Sequence, residues 1–295
     1  MQSDVATRSP AVPRPRSPGL SFTVAGGLPD LDRSGFERSP GSIEDGVPRH
    51  WFGGNVVATQ VANGVNLLFP AGERFFVRSV MRYLDRVSDP LLRARAKGFF
   101  GQEGRHAREH ERVFEMMEAQ GYDVRRFLRL YEAVAYGVIE RVAPRALALS
   151  TTAACEHYTA ILAEHALRHR LLDQAHPAMR ALLYWHAAEE IEHRDVAFDV
   201  LQAVHPSYAL RVAGLAMATA CLGGFWVVAT LMLLGQEKDL ALPRLRRDWG
   251  VARERARQHG VFVKGLREYL RPGFHPSQKE TDSLAAEYLA SVGLS

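Results

Sequence analysis

The sequence predicts an all-α protein built on a four-helix bundle with additional C-terminal helices, and three observations carry this reading. From about Phe69 onward Ala, Leu, Arg and Glu dominate, and apolar positions recur at three and four residues rather than at two. No segment reads as a buried parallel strand, which disfavours α/β folds. Carboxylates and histidines recur in matched order in two halves of the chain, as a bundle core with inward-pointing polar side chains requires.

The elements follow in order. The first 50 of the 295 residues hold seven of the fifteen prolines, with repeated Ser, Gly and Arg and little apolar surface to offset chain entropy. They read as a mobile or surface-wrapping tail, and Arg8, Arg14 and Arg16 are not followed by the apolar stretch of a secretory signal. Residues 51–207 are assigned to the bundle and 208–295 to helices packed on it, among them an apolar segment. Periodicity predicts helices at 71–87, 90–120, 123–141, 144–172, 177–204, 208–235, 241–258, 261–270 and 278–292. Asp89-Pro90 fits an N-cap followed by proline at the first helical position, and Gly121 fits a C-cap. His176-Pro177 and His205-Pro206 punctuate the next junctions.

Composition excludes several classes of function. The 37 basic and 33 acidic residues leave a net charge of +4, spread among arginines rather than gathered in a stripe, so nucleic acid is not an expected partner. Cys155 and Cys221 cannot supply a four-thiolate site and make a disulfide framework unexpected. The chain reads as cytoplasmic, and a metal would have to be held by His and carboxylate.

Glu-x-x-His occurs twice, at Glu103 to His106 and at Glu190 to His193. With 20 Glu and 12 His in the chain, about one such pair is expected by chance, so the weight lies in the context. Glu73 precedes the first pair by 30 residues and Glu156 precedes the second by 34, so the order Glu, then Glu-x-x-His, repeats. Residues three apart on a helix differ by about 60° in direction and can reach one ion. One Glu from each of two helices and a Glu-x-x-His from each of two others give four carboxylates and two imidazoles around two metals. Two divalent cations would neutralise carboxylates that are otherwise very costly to bury, and the mixed nitrogen and oxygen donors suit iron or manganese. His186 shares a stripe with Glu190 and His193, and His110 shares one with Glu103 and His106, so spacing leaves either as an extra ligand. Gln102 and Glu189, each just before a Glu of the pattern, are candidates to orient the imidazoles. His157, His165, Cys155, Tyr158 and Trp185 read as packing or surface residues.

These residues resemble the ferritin-like dimetal carboxylate proteins, and among them the bacterial family of predicted metal-dependent hydrolases. The similarity runs over about residues 50–275 and rests on Phe69 to Phe76, Gln102 to His110, Cys155 to Tyr158 and Trp185 through Asp199. The arrangement is also similar to that of the diiron arylamine N-oxygenases, in which a third histidine stands four residues before the Glu of the second Glu-x-x-His. His186 matches that position. The resemblance implies Glu73, Glu103, His106, Glu156, His186, Glu190 and His193 as ligands of two Fe ions, with Mn as a substitute and O2 as co-substrate. The leading expectation is a non-haem diiron oxygenase that oxidises a small hydrophobic organic substrate, an amine being one option, with electrons from a reductase or ferredoxin. The alternative is a dimetal hydrolase in which the metals activate water. Iron binding or storage ranks third, because the tail, the extra helices and the apolar segment do not suit a compact cage. A homo-oligomer is expected.

Residues 212–234 carry no charge over 23 positions, long enough to span a bilayer. Residues 236–271 carry ten Lys and Arg against five acids and favour the same side as the metal domain, so one simple crossing does not satisfy both flanks. Burial against the bundle or a second subunit is the first reading, and contact with a membrane surface the second.

Overall fold

Caps and prolines set where the helices begin. The chain is described in a computed structural model at residues 46–238, 241–257 and 261–294, and among these residues the β contact is an isolated bridge from Phe52 to Ala175. The protein is all-α. Helix α1 (Val56–Asn66) starts at Asn55, whose side chain accepts from the Ala58 amide at 2.8 Å. Helix α2 (Phe69–Met81) follows after two residues. Asp89 caps α3 (Pro90–Ala119) through the Leu91 amide at 2.8 Å, and Gly121, at φ +85°, turns the chain away. Helix α4 (Arg125–Tyr131) runs through a π-helical stretch, Glu132–Ile139, into the short α5 (Glu140–Val142). Then come α6 (Arg145–Arg168), α7 (Pro177–His193), α8 (Val196–Val204), α9 (Tyr208–Leu234), α10 (Leu242–Arg257), α11 (Val261–Tyr269) and α12 (Asp282–Ser291).

Four features depart from the periodicity reading, the first being that the stretch predicted at 123–141 is α-helical only to Tyr131 and then π-helical over Glu132–Ile139. Helix α1 lies where no helix is predicted. The stretch predicted at 71–87 stops at Met81 and continues as a single tight turn, Leu84–Arg86. The stretch predicted at 177–204 is two helices, broken at Arg194 and Asp195 with neither Pro nor Gly present. The break is tertiary in origin: Arg194 turns to donate to the Pro276 and Lys279 carbonyls and to Asp282, while Asp195 pairs with the buried Arg95 of α3. Most of the tail read over 1–50 lies outside the described residues. Its last five are anchored: Val47 is buried and Arg49 donates to the Gln120 carbonyl at 2.6 Å.

Four helices close a ring, with α2 on α3, α3 on α7, α7 on α6 and α6 on α2. Two apolar clusters fill the interior, one around Trp51, Met116, Phe127 and Trp185, the other around Phe99, Leu149, Phe198 and Tyr269. Polar side chains lie between them. The His106 ring meets Trp185 of the first cluster and the His193 ring meets Phe99 of the second, both with centroids 5.0 Å apart. Outside the ring, α9 packs on α6 and α1, α11 on α6, and α12 on α7. The approach of α9 to α6 depends on Gly214, since a Cβ there would lie 2.5 Å from the Ser150 carbonyl oxygen.

Candidate dimetal centre

Every side chain of the repeated pattern points into the ring, because each occupies the inward stripe of its helix. Glu73 comes from α2, Glu103 and His106 from α3, Glu156 from α6, and His186, Glu190 and His193 from α7. None is more than 4% exposed. Their donor atoms fall into three overlapping groups, each with all atoms within 4.8 Å of one another: Glu73, His106 and His186; Glu103, Glu156 and His193; and Glu103, His106 and Glu190. The third group joins the other two. Glu190 Oε1 lies at its centre, 2.8 Å from His186 Nε2, 3.6 Å from His106 Nδ1 and 3.5 Å from His193 Nε2.

The imidazoles are held by a reciprocal exchange between α3 and α7. Gln102 Oε1 bonds His193 Nδ1 at 2.9 Å, and Glu189 Oε2 bonds His106 Nε2 at 3.1 Å. The residue preceding each central Glu therefore orients the histidine of the opposite helix. His110 and His186, which spacing leaves equivalent, play different parts. His186 directs Nε2 at Glu190 and its Nδ1 at His110 Nε2, 2.6 Å away. His110 thus stands behind His186, and Phe69 closes over both rings with centroids at 4.6 Å.

The electrostatics are unbalanced without a cation. Burial pushes the Glu73 and Glu156 carboxyls well above their ordinary range, and the neighbouring carboxylates Glu103 and Glu190 push them further. Burial also raises Glu103, against the pull of His193. For Glu190 burial acts upward too, but His193 and His186 outweigh it and hold the group well below the usual value. His193 is raised well above 6.5 because Glu190 and Glu103 overcome its burial, whereas burial and the charge of His186 lower His106 and His110. No hydrogen bond among the described residues reaches either oxygen of Glu73 or of Glu156. Buried carboxylates without hydrogen bonds are costly, even with His186 at 3.7 Å from Glu73 and His193 at 3.4 Å from Glu156, and four carboxylates facing three imidazoles with no thiolate form a donor set suited to two divalent cations such as iron or manganese. The residues present fit such a pair of ions.

A cavity of about 90 Å³ reaches Glu73. Phe69 and Phe76 of α2, Tyr131 and Tyr136 around the π-helical stretch, Cys155 of α6 and Phe225 of α9 line it. Tyr131 and Tyr136 share a hydrogen bond between their hydroxyls, and burial raises both phenols. Sequence reasoning did not find these two tyrosines, since a π turn shifts the register that 3.6-residue periodicity follows. The residues read as packing are buried or partnered. His157 bonds the Gly265 carbonyl at 2.9 Å and is lowered to about 4 by burial, Tyr158 bonds Thr219 at 2.6 Å, and Trp185 is fully buried. Cys155 is a free buried thiol whose pKa burial raises.

No curated protein and no solved structure matches the sequence. A family profile does, over residues 39–280, a span that holds all seven side chains of the cluster. With most of its length matched and a buried Glu/His cluster able to hold two ions, the chain belongs to the family described as predicted metal-dependent hydrolase.

Proposed function

We propose that this protein is a dimetal oxygenase that oxidises a small apolar substrate, with Glu73, Glu103, His106, Glu156, His186, Glu190 and His193 holding two iron ions. The observation that carries the reading is the meeting of a carboxylate-rich centre with a cavity walled by aromatic rings at Glu73. Such walls exclude water and bind by apolar burial, and they offer few donors to grip a polar ester, amide or phosphate. When bound, the ions would supply the activation of O2 that no protein side chain provides. The chain's own residues position the donors: Gln102 and Glu189 fix two imidazoles, His110 fixes a third, and Glu190 reaches across the centre. Phe69 shields the His110–His186 pair, and the Tyr131–Tyr136 pair, with Thr151 and Thr159, sets a few polar points on a mainly apolar wall. Electrons would come from a separate redox protein.

A second reading has direct support from the family description, which names hydrolysis. In it the same ions lower the pKa of a bound water and polarise the scissile group. One experiment separates the two. The chain is loaded anaerobically with Fe(II), its metal content is measured, and it is mixed rapidly with O2 under absorbance detection. Oxygenase chemistry requires two irons per chain and an O2-dependent spectral transient whose decay a bound apolar substrate accelerates. Iron that binds but stays inert to O2, together with anaerobic ester or amide cleavage by the zinc-loaded protein, overturns oxidation in favour of hydrolysis.

A further inference from the structure

Helix α9 has a second side that the fold does not use. Ala213, Ala220, Gly224, Val227, Val228 and Leu231 fall on one stripe of the helix, and all are exposed, Leu231 by 62%. The packed side carries Leu215, Ala218, Ala229 and Leu233. The helix is long and apolar enough to cross a membrane, with mean hydropathy 1.9 over its most apolar stretch, yet only 22% of that stretch is buried. Its apolarity exceeds what packing requires. A contiguous apolar face left open on a soluble domain marks a contact surface.

Two neighbouring features say what covers it. The first is the cavity. Met217 and Cys221 of α9 and Ala135 and Ile139 of the π-helical stretch line it and are half-buried, as are Phe75 and Phe76 of α2, so the cavity lies close to the surface where these elements meet. Val134, Val138 and Val142 stand exposed beside Ala135 and Ile139, Val142 by 77%. The cavity that reaches Glu73 therefore lies next to apolar surface. The second is α10, which packs on α1, itself packed on α9. Arg244 and Arg247 pair with its own Asp248, while Leu242, Arg246, Trp249 and Arg253 follow one exposed stripe. An apolar helix, an interfacial tryptophan and two outward-facing guanidinium groups match a bilayer surface with anionic headgroups. Helix α9 is tied down along its length, by the Gly214 contact with Ser150 and by the Trp226 indole donating to the Val61 carbonyl at 2.7 Å, so it would lie along the membrane and not through it. Among the described residues no ion pair reaches Arg246 or Arg253, and an anionic leaflet would supply the counter-charge that a second copy, itself of net charge +4, would not.

We propose that the face formed by α9 and the π-helical stretch docks on an anionic lipid leaflet, and that the apolar substrate enters the cavity from the acyl region. The substrate route rests on the apolar-substrate reading above, while docking is measured without turnover, so each can fail alone. The test is co-flotation of the full metal-loaded chain with phosphatidylcholine vesicles, with and without phosphatidylglycerol. Binding is expected to the anionic vesicles and to weaken as salt is raised. The paired exposed substitutions Val227→Asp and Leu231→Asp should cut the partition coefficient at least about tenfold with metal content and melting temperature unchanged. Arg246→Glu with Arg253→Glu should abolish the preference for phosphatidylglycerol. A chain that stays in the soluble fraction with both vesicle types overturns the proposal, as does unchanged vesicle binding by the α9 variant. A dimer in sedimentation that the α9 variant dissociates, without vesicle binding by the parent, assigns the face to a second copy instead.

Discussion

A histidine that binds a metal through one ring nitrogen is aimed by whatever holds the other. Gln102 and Glu189 hold one ring nitrogen of His193 and His106 from opposite helices, so under the proposed ligand set their loss should loosen both imidazoles without opening the bundle. Gln102→Ala and Glu189→Ala are each expected to lower metal affinity by about 10- to 100-fold in a chelator competition, with unchanged far-ultraviolet circular dichroism. Unchanged affinity would show that the cross-helix bonds do not orient the donors. The carboxylates behave oppositely in the two states of the protein. Glu156 is fully buried with no hydrogen bond to either oxygen, and burial and the neighbouring carboxylates outweigh His193 at 3.4 Å, so its charge opposes folding when no cation is present. Glu156→Gln should therefore raise the stability of the metal-free chain by about 1 kcal/mol or more above neutral pH and lower its metal content. A metal-free variant less stable than the parent would mean that Glu156 is satisfied by the protein itself.

Among the elements, α9 joins the ring to the surface, and its closest approach to α6 is at Gly214. The obstruction a side chain would meet there is the Ser150 backbone, which cannot rotate away as a flexible side chain can. Gly214→Val should destabilise the protein by about 1–3 kcal/mol or more, read as a fall in the denaturant midpoint. A neutral result would place α9 farther from α6 than its packing shows. The same scale explains what the sequence made legible. Glu-x-x-His could be read because side-chain spacing on an uninterrupted helix is linear in sequence, and α3 and α7 are continuous α-helix where they carry it. Helix α1 could not, since Val-Val-Ala-Thr-Gln-Val-Ala-Asn-Gly-Val-Asn has many β-branched residues and a glycine. Its support is distant: Asp248 accepts from the Val56 amide at 3.1 Å across 192 residues, and Trp226 lies against Gly64. The break between α7 and α8 and the π-helical wall of the cavity were likewise hidden, because the first is set by Arg194 and Asp195 reaching other helices and the second by a register that a periodic reading cannot register. The distinction between His110 and His186 needed the geometry as well, since both sit on correct stripes.

At the scale of the whole molecule, the centre ties folding to pH, and under the proposed function to metal as well. His193, raised well above 6.5 in the folded chain, contributes stability that is complete below 6.5 and lost as pH rises through the folded value. Glu73 and Glu156 have the same sign, with a window that opens at 4.5. His106 and His110 are lowered, so their contribution grows with pH, but only up to 6.5. The lowered Glu190 acts below 4.5, where its contribution is lost as pH falls. Above 6.5 the shifted groups of the centre that still carry a slope therefore all favour lower pH. Two divalent cations held there would replace the protons as the counter-charge and reverse this preference, because ligands must be deprotonated to bind. The metal-free protein should lose thermal stability as pH rises from 6.5, by on the order of 1.4 kcal/mol per pH unit for each proton released. The metal-loaded protein should melt higher, with a gap that widens over the same range. Thermal denaturation of both forms across a pH series decides this. Parallel curves would mean that the cluster is balanced by the protein alone, and the assignment of a metal centre would lose its electrostatic basis.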